Sequence, residues 1–222
     1  MRSKAHILDR DFYERPTLEV ARELLGQRLV RVLEGQRLSG LIVEVEAYIG
    51  EEDKASHAAV GRTPRNEVMY GPAGHAYVYL IYGVHHCLNA VTEAEGFPAA
   101  VLIRAIEPRE GIEVMRAHRP GRPDDQLTNG PAKLCQALAI DLSLNGADLC
   151  TGEVLFIEVA NARRGLGTSD SLGGCPASVR EEGEHVADDV VIATPRIGVR
   201  GDELAKSRPW RFCMQGNRYV SQ

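Results

Sequence analysis

Residues 41–66 read LIVEVEAYIGEEDKASHAAVGRTPRN, so Glu44, Glu46, Tyr48 and His57 follow closely on one another, with Arg62 and Arg65 just behind. Side chains alternate between the faces of a strand, and this period puts Glu44, Glu46 and Tyr48 together with Ile42, opposite Leu41, Val43 and Val45. A carboxylate so placed is either solvated, as on the wet face of an antiparallel sheet, or held for proton transfer. Tyr48, joined later by Tyr77, Tyr79 and Tyr82, favours the second use. Rings crowding a carboxylate can form a slot for a planar base, where stacking contributes about 1–3 kcal/mol per base. Ordinary tyrosine packing in a sheet is the alternative.

The other candidates each carry two readings. His57, in KASHAAVGR, is either a site residue or a loop histidine satisfied by backbone. Arg104 interrupts the apolar run VLIRAIEP and either pairs with an acid or meets a phosphate. Asn89, in HHCLNAV, either supports its ladder or discriminates between base edges, since an amide both donates and accepts. His75, His85 and His86 match no standard zinc spacing and no Cys joins them, so no metal site is expected. The GLG at 165–167 lacks the strand and helix of a dinucleotide fingerprint, and no nucleotide cofactor is expected.

These residues need elements to position them. PTLEVARELLG spaces Leu18, Ala21 and Leu25 on one helical face, with Thr17 as candidate N-cap and Gly26 just past the end. QRLVRVLEGQRLSGLIVEVEAY reads as two strands joined near Glu34 and Gly35. HAYVYLIYGVHHCLNAVTE reads as a β-hairpin bent at Tyr82 and Gly83, followed by a strand in PAAVLIRAIEP. EGIEVMRAHR and NGPAKLCQALAI read as helices. The second has Asn129 near its cap and Pro131 near its first position, so its free N–H groups could hold a phosphate, with Lys133 close by. The strand patterns VLFIEVA and VVIATPRIGV flank residues 161–189, a stretch rich in Gly, Ser and acid that is expected to be an exposed insertion. Sequential strands of this kind predict an α+β fold: a single mixed domain over 1–222 with a curved, largely antiparallel β-sheet, flanking helices and a protruding β-hairpin.

A chain of 222 residues, 44% of them hydrophobic, can bury one substantial core. Its net charge of −5 argues against coating nucleic acid by overall basicity, while leaving room for local basic clusters. Cys87, Cys135, Cys150, Cys175 and Cys213 are an odd set without a C-x-x-C pair, which argues against a zinc ribbon or a disulfide framework and for a reducing interior. The N-terminal MRSKAHILDRDFYERP lacks the apolar run of a signal peptide, and no stretch is long enough to span a membrane. A soluble, cytoplasmic protein is expected, with no membrane partner.

Taken together, ELLGQRLVR, IVEVEAYIGEEDKASHA, GRTPRNEVMYGPAGHAYVYLIYGVHHCLN, AVLIRAIEP, NGPAKLCQALAI, PRIGV and RPWRFCMQGNRYVS span nearly the whole chain in order. In these stretches the chain resembles the 3-methyladenine (alkyladenine) DNA glycosylase family, the metal-free type without a helix-hairpin-helix. The resemblance implies a monomeric enzyme without cofactor that acts on damaged double-stranded DNA, nucleoid-associated in a bacterium or nuclear in a eukaryote. It implies that Glu46 is the general base that activates water, with Arg104 near the nucleotide backbone and the water. Tyr48, His57 and Tyr79 match the residues that sandwich the damaged base, Asn89 the one that disfavours the exocyclic amine of guanine, and Ile197 an apolar contact beside the nucleophile. Tyr82 matches the side chain that enters the duplex through the minor groove. Arg62, Arg65 and Lys133 are expected on the DNA backbone. Two departures stand out: His85 and His86 replace frequent aromatics, and Val84 stands where a longer apolar side chain can help wedge the duplex. Two rival readings are a damage-binding module that does not cut and a nucleoside hydrolase using Glu44 and Glu46.

Overall fold

The computed structural model describes residues 6–160 and 191–221. The expected insertion at 161–189, with Cys175, lies outside them. Eight strands are described: β1 (Arg28–Leu33), β2 (Gln36–Ile49), β3 (Ala76–Ile81), β4 (His85–Val91), β5 (Ala99–Glu110), β6 (Leu155–Glu158), β7 (Val191–Thr194) and β8 (Arg211–Met214). They form one open antiparallel sheet in the order β3-β4-β5-β2-β1-β6, with β8 on β2 and β7 outside β8. The helices are α1 (Arg10–Tyr13), α2 (Thr17–Leu24), α3 (Ile112–His118), α4 (Pro131–Ala137) and α5 (Glu203–Ser207). The architecture is the α+β one expected.

The long strand β2 organises the rest. β5 runs along one edge of it from Ser39 to Ile49. The other edge is shared, by β1 up to Leu41 and by β8 across Glu44–Glu46. Between these halves the pairing with β5 slips: Ile42 faces Ile106, Glu44 faces Ala105, and Val45 faces Ile103. Val43 and Arg104 are therefore the extra residues of bulges on the two strands, and a bulge re-aims the side chain it carries. This corrects the expected alternation. Ile42 sits in the apolar core together with Val43, and only from Val43 onward does the period of two hold.

Past the bulge each strand has a core face and a second face. Val43, Val45 and Ala47 of β2, Val78 of β3, Leu88 and Ala90 of β4, and Val101 and Ile103 of β5 meet Leu24 of α2 and Leu134 of α4 in the main core. The alternate residues, among them Glu46, Tyr77, Tyr79, Cys87, Asn89 and Arg104, turn to the opposite side. That side is covered rather than wet: Glu44 and Glu46 are fully buried. Burial of each apolar core side chain contributes about 1.5–3 kcal/mol, which fixes which face of every strand is left for chemistry.

Local signals mostly placed the ends of elements. Gly26 follows α2 at φ 78°, as its position past the helix suggests. The N-cap, however, is Pro16 rather than Thr17, because the Thr17 hydroxyl and N–H are both spent on the carboxylate of Glu93. In α4 the cap is Gly130 and Pro131 takes the first turn. The β3–β4 hairpin bends where expected, with Tyr82 at φ 52° and Gly83 at φ 73°. A left-handed tyrosine is uncommon, and here it leaves the ring 80% exposed at the tip.

Candidate active site

The second face of the sheet forms the floor of a cleft of about 810 Å³. Glu46, Tyr48, His57, Tyr79, Asn89 and Arg104 all line it, as do Arg65, Tyr82 and Ile197. Three groups converge on Glu46: the Tyr48 hydroxyl donates to Oε2 at 2.8 Å, the Ile197 N–H donates to Oε1 at 2.7 Å, and Arg104 Nη1 forms an ion pair with Oε1 at 3.1 Å. Burial first, then the charge and hydrogen bond of Glu46, push the Tyr48 phenol well above its ordinary value, so it remains a donor.

The bulge at Arg104 turns its guanidinium between two acids. Its Nε donates to Glu44 Oε1 at 2.7 Å while Nη1 reaches Glu46. Burial opposes the charge on Arg104, but Glu46 and Glu44 more than offset it and raise the pKa. Glu44 also accepts from Arg211 Nε at 2.7 Å, from the Ser221 hydroxyl at 2.7 Å and from the Ser221 N–H at 2.6 Å. Burial alone would push Glu44 up; Arg104, Ser221 and Arg211 prevail and hold it below its ordinary value.

The aromatic part of the cleft comes from β3 and the turn at His57. The His57 and Tyr79 rings meet edge to face with centroids 4.5 Å apart, and Tyr77 and Tyr79 lie 5.4 Å apart. Burial, helped by the nearby Arg65, lowers the His57 pKa, so the ring is neutral at neutral pH. Its Nδ1 shares a hydrogen bond of 2.8 Å with the Tyr77 hydroxyl, whose pKa burial pushes up to about 12. Asn66, buried, donates to the carbonyls of His57 and Gly61, both at 2.9 Å, and so holds the turn that carries the imidazole. Asn89 is buried with its amide nitrogen donating to the Tyr77 carbonyl at 2.9 Å.

The three basic residues expected on a DNA backbone are placed differently. Arg65 lies at the cleft, 5.6 Å from the Tyr79 ring centroid and donating to the Leu80 carbonyl at 3.1 Å. Arg62 is exposed, does not line the cleft, and forms an ion pair with Glu67. Lys133 also lies off the cleft, with its ammonium on Asn129 Oδ1 at 2.8 Å. Ile197 brings more than an apolar side chain, since its backbone N–H is a donor to Glu46. Tyr77 was legible only as one more strand aromatic, although its place two residues before Tyr79 puts both on one face. Arg200 and Lys54, at the cleft, carried no signal in the sequence.

Among the described residues no group of three or more His, Cys, Asp or Glu side chains could hold a metal ion, and no helix is long and apolar enough to cross a membrane. Cys87, Cys135, Cys150 and Cys213 are free thiols.

Comparison with known proteins agrees with the resemblance in the motifs. The family model for Methylpurine-DNA glycosylase (MPG) matches residues 11–218. A protein of Methanocella arvoryzae named "Putative 3-methyladenine DNA glycosylase" is 49% identical over 217 residues, 97% of this chain and 96% of that protein. Proteins of the same name from Desulfitobacterium hafniense (strain Y51) and Alkaliphilus oremlandii are 47% and 44% identical, covering 96% and 97% of this chain and 98% of each relative. The cleft thus belongs to an enzyme that acts on N-glycosyl bonds, and the chain is a member of the methylpurine-DNA glycosylase family.

Proposed function

We propose that this chain is a monofunctional DNA N-glycosylase that extrudes an alkylated or deaminated purine from damaged duplex DNA and hydrolyses its glycosidic bond, initiating base excision repair. The observation that carries the reading is a buried Glu46, held by two hydrogen bonds and an ion pair, at the floor of a cleft walled by Tyr48, His57 and Tyr79. Taking a base out of its stack costs a few kcal/mol, least where damage has weakened pairing. The exposed Tyr82 at the hairpin tip is suited to fill the vacated space, as apolar wedges do in the minor groove. The aromatic walls then repay part of the cost by stacking.

Cleavage breaks the bond between C1′ and the base nitrogen, whose electron pair leaves with the base. The sugar gains oxocarbenium character, which the Glu46 carboxylate stabilises while it accepts a proton from the attacking water. A cationic adduct such as 3-methyladenine or 7-methylguanine departs as a neutral base. A neutral purine such as hypoxanthine or ethenoadenine must be protonated as it leaves. Asn89, held against the Tyr77 carbonyl, is the group proposed to disfavour guanine's exocyclic amine, and Arg65 the basic residue nearest to a bound strand. The protein is proposed to act as a monomer without a cofactor.

The test is excision from duplexes holding 3-methyladenine, 7-methylguanine, hypoxanthine or ethenoadenine, read as strand scission after alkali. Release of at least one of these bases, with undamaged duplex untouched, is expected. Folded protein that binds these duplexes yet leaves every glycosidic bond intact would overturn the proposal in favour of a damage-binding module.

A further inference from the structure

Both hydrogen-bond donors on Glu46 trace back to one residue that does not line the cleft. Arg196 and Asp53 are both fully buried and meet as a fork, Nη1 to Oδ2 at 2.6 Å and Nη2 to Oδ1 at 2.8 Å. Nη1 also donates to the Ala47 carbonyl and Nη2 to the Ala205 carbonyl, both at 2.9 Å. The guanidinium lies 4.7 Å from the Tyr48 ring centroid and 5.1 Å from that of Trp210. Arg196 thereby joins the end of β2, the turn after it, α5 and the approach to β8. The following residue, Ile197, puts its N–H on Glu46 Oε1, and the ring beside Arg196 belongs to Tyr48, whose hydroxyl meets Oε2.

Desolvating two charges costs about as much as their attraction returns, so stability alone does not account for such a pair. The segment after Arg196 is also seated closely. A Cβ at Gly201, where φ is 124°, would stand 2.8 Å from the Lys54 carbonyl oxygen, beside Asp53 in the chain. We propose that Arg196, clamped by Asp53, is the positioning residue that aims the Glu46 carboxylate, setting the Ile197 N–H against one oxygen and the Tyr48 hydroxyl against the other. The inference rests on the reading of Glu46 as the base. Other charged or titratable groups around Glu46 are Arg104 on β5, Tyr79 on β3 and Cys87 on β4.

The experiment is single-turnover excision on an alkylated duplex by R196K, which keeps the charge but loses the planar fork. Misplacement of a reacting group costs on the order of 10–100-fold, and a fall of that size in the rate constant is expected. The amplitude of excision and the affinity for the lesion duplex stay within about twofold, because the fold and the cleft walls remain. In an E46Q background the same change adds no further loss, since two residues acting through one group are not additive. D53N and the neutral double variant D53N/R196Q repeat the measurement should R196K not fold. A wild-type rate in these variants, reduced amplitude at an unchanged rate, or an equal loss with and without Glu46 would overturn the clamp. The two readings fail separately: E46Q excising at the wild-type rate removes the base itself, whereas slow E46Q with wild-type R196K removes only Arg196.

Discussion

Glu44 and Glu46 are next neighbours on one face of β2, equally buried, and each is in contact with Arg104. What surrounds them differs. Glu44 accepts four hydrogen bonds from Arg104, Arg211 and Ser221, does not line the cleft, and ties the last described residue of the chain to the sheet. Glu46 accepts two, from Tyr48 and Ile197, forms an ion pair with Arg104, and lines the cleft. One carboxylate is consumed by its donors, and the other keeps a side turned to the space where a substrate would sit. If Glu46 is the base proposed above, burial and charge alone do not pick out the reacting acid. The disposition of its partners does.

The largest effect expected from breaking this contrast is on stability. Removing one partner of a buried ion pair costs about 3–5 kcal/mol. E44Q leaves Arg211 facing a neutral amide and Arg104 with Glu46 as its one acidic partner, and a loss of that order is expected in denaturant unfolding. The rate of excision by the fraction still folded should change far less. The next largest effect is on chemistry. E46Q also takes a charge partner from Arg104 and should lose stability, but folded E46Q should bind a lesion duplex and lose at least about 10²-fold in single-turnover excision, the lower range for general base catalysis. Rates that fall equally in folded E44Q and E46Q would erase the distinction and favour a two-carboxylate site of the nucleoside hydrolase kind.

Much of the site was legible because it follows strand periodicity. Glu46 and Tyr48, Tyr77 and Tyr79, and Cys87 and Asn89 are spaced by two, so a correct strand assignment delivers each pair to one face. The hairpin tip was legible for a local reason, a glycine after a tyrosine in the middle of an apolar alternation. What escaped was long-range. Asp53 and Arg196 are 143 residues apart, and Glu44 and Ser221 are 177 apart. No local rule couples positions so distant. The bulge escaped too, since Val43 reads as an ordinary strand residue and Arg104 stands out for its charge alone until their partners are known. The wet face that two glutamates on one strand also allow was set aside on the strength of the tyrosines, and both carboxylates are buried. Thr17 failed as a cap because a tertiary partner, Glu93, competes for its hydroxyl.

The smallest expected effect uses pH to sharpen the same comparison. The Glu44 carboxyl lies below the ordinary glutamate value of 4.5, with burial pushing it up and Arg104, Ser221 and Arg211 outweighing burial. A carboxyl depressed by folding binds fewer protons in the native than in the unfolded state, so its contribution is fully present above about pH 4.5 and is lost as pH falls through the folded value. The His57 pKa is also lowered, and the unfolded chain takes up that proton first as the solution is acidified. That loss is common to the wild type and E44Q, and it cancels in their difference. The difference in unfolding free energy between the two should therefore be flat from neutral pH down to about 5, then narrow as the wild type gives up what the variant already lacks. Melting both proteins across about pH 3–7 at constant salt measures it. A gap that does not narrow below pH 4.5 would mean that Glu44 acts through shape and hydrogen bonding rather than charge, and the two carboxylates of β2 would then differ in more than their partners.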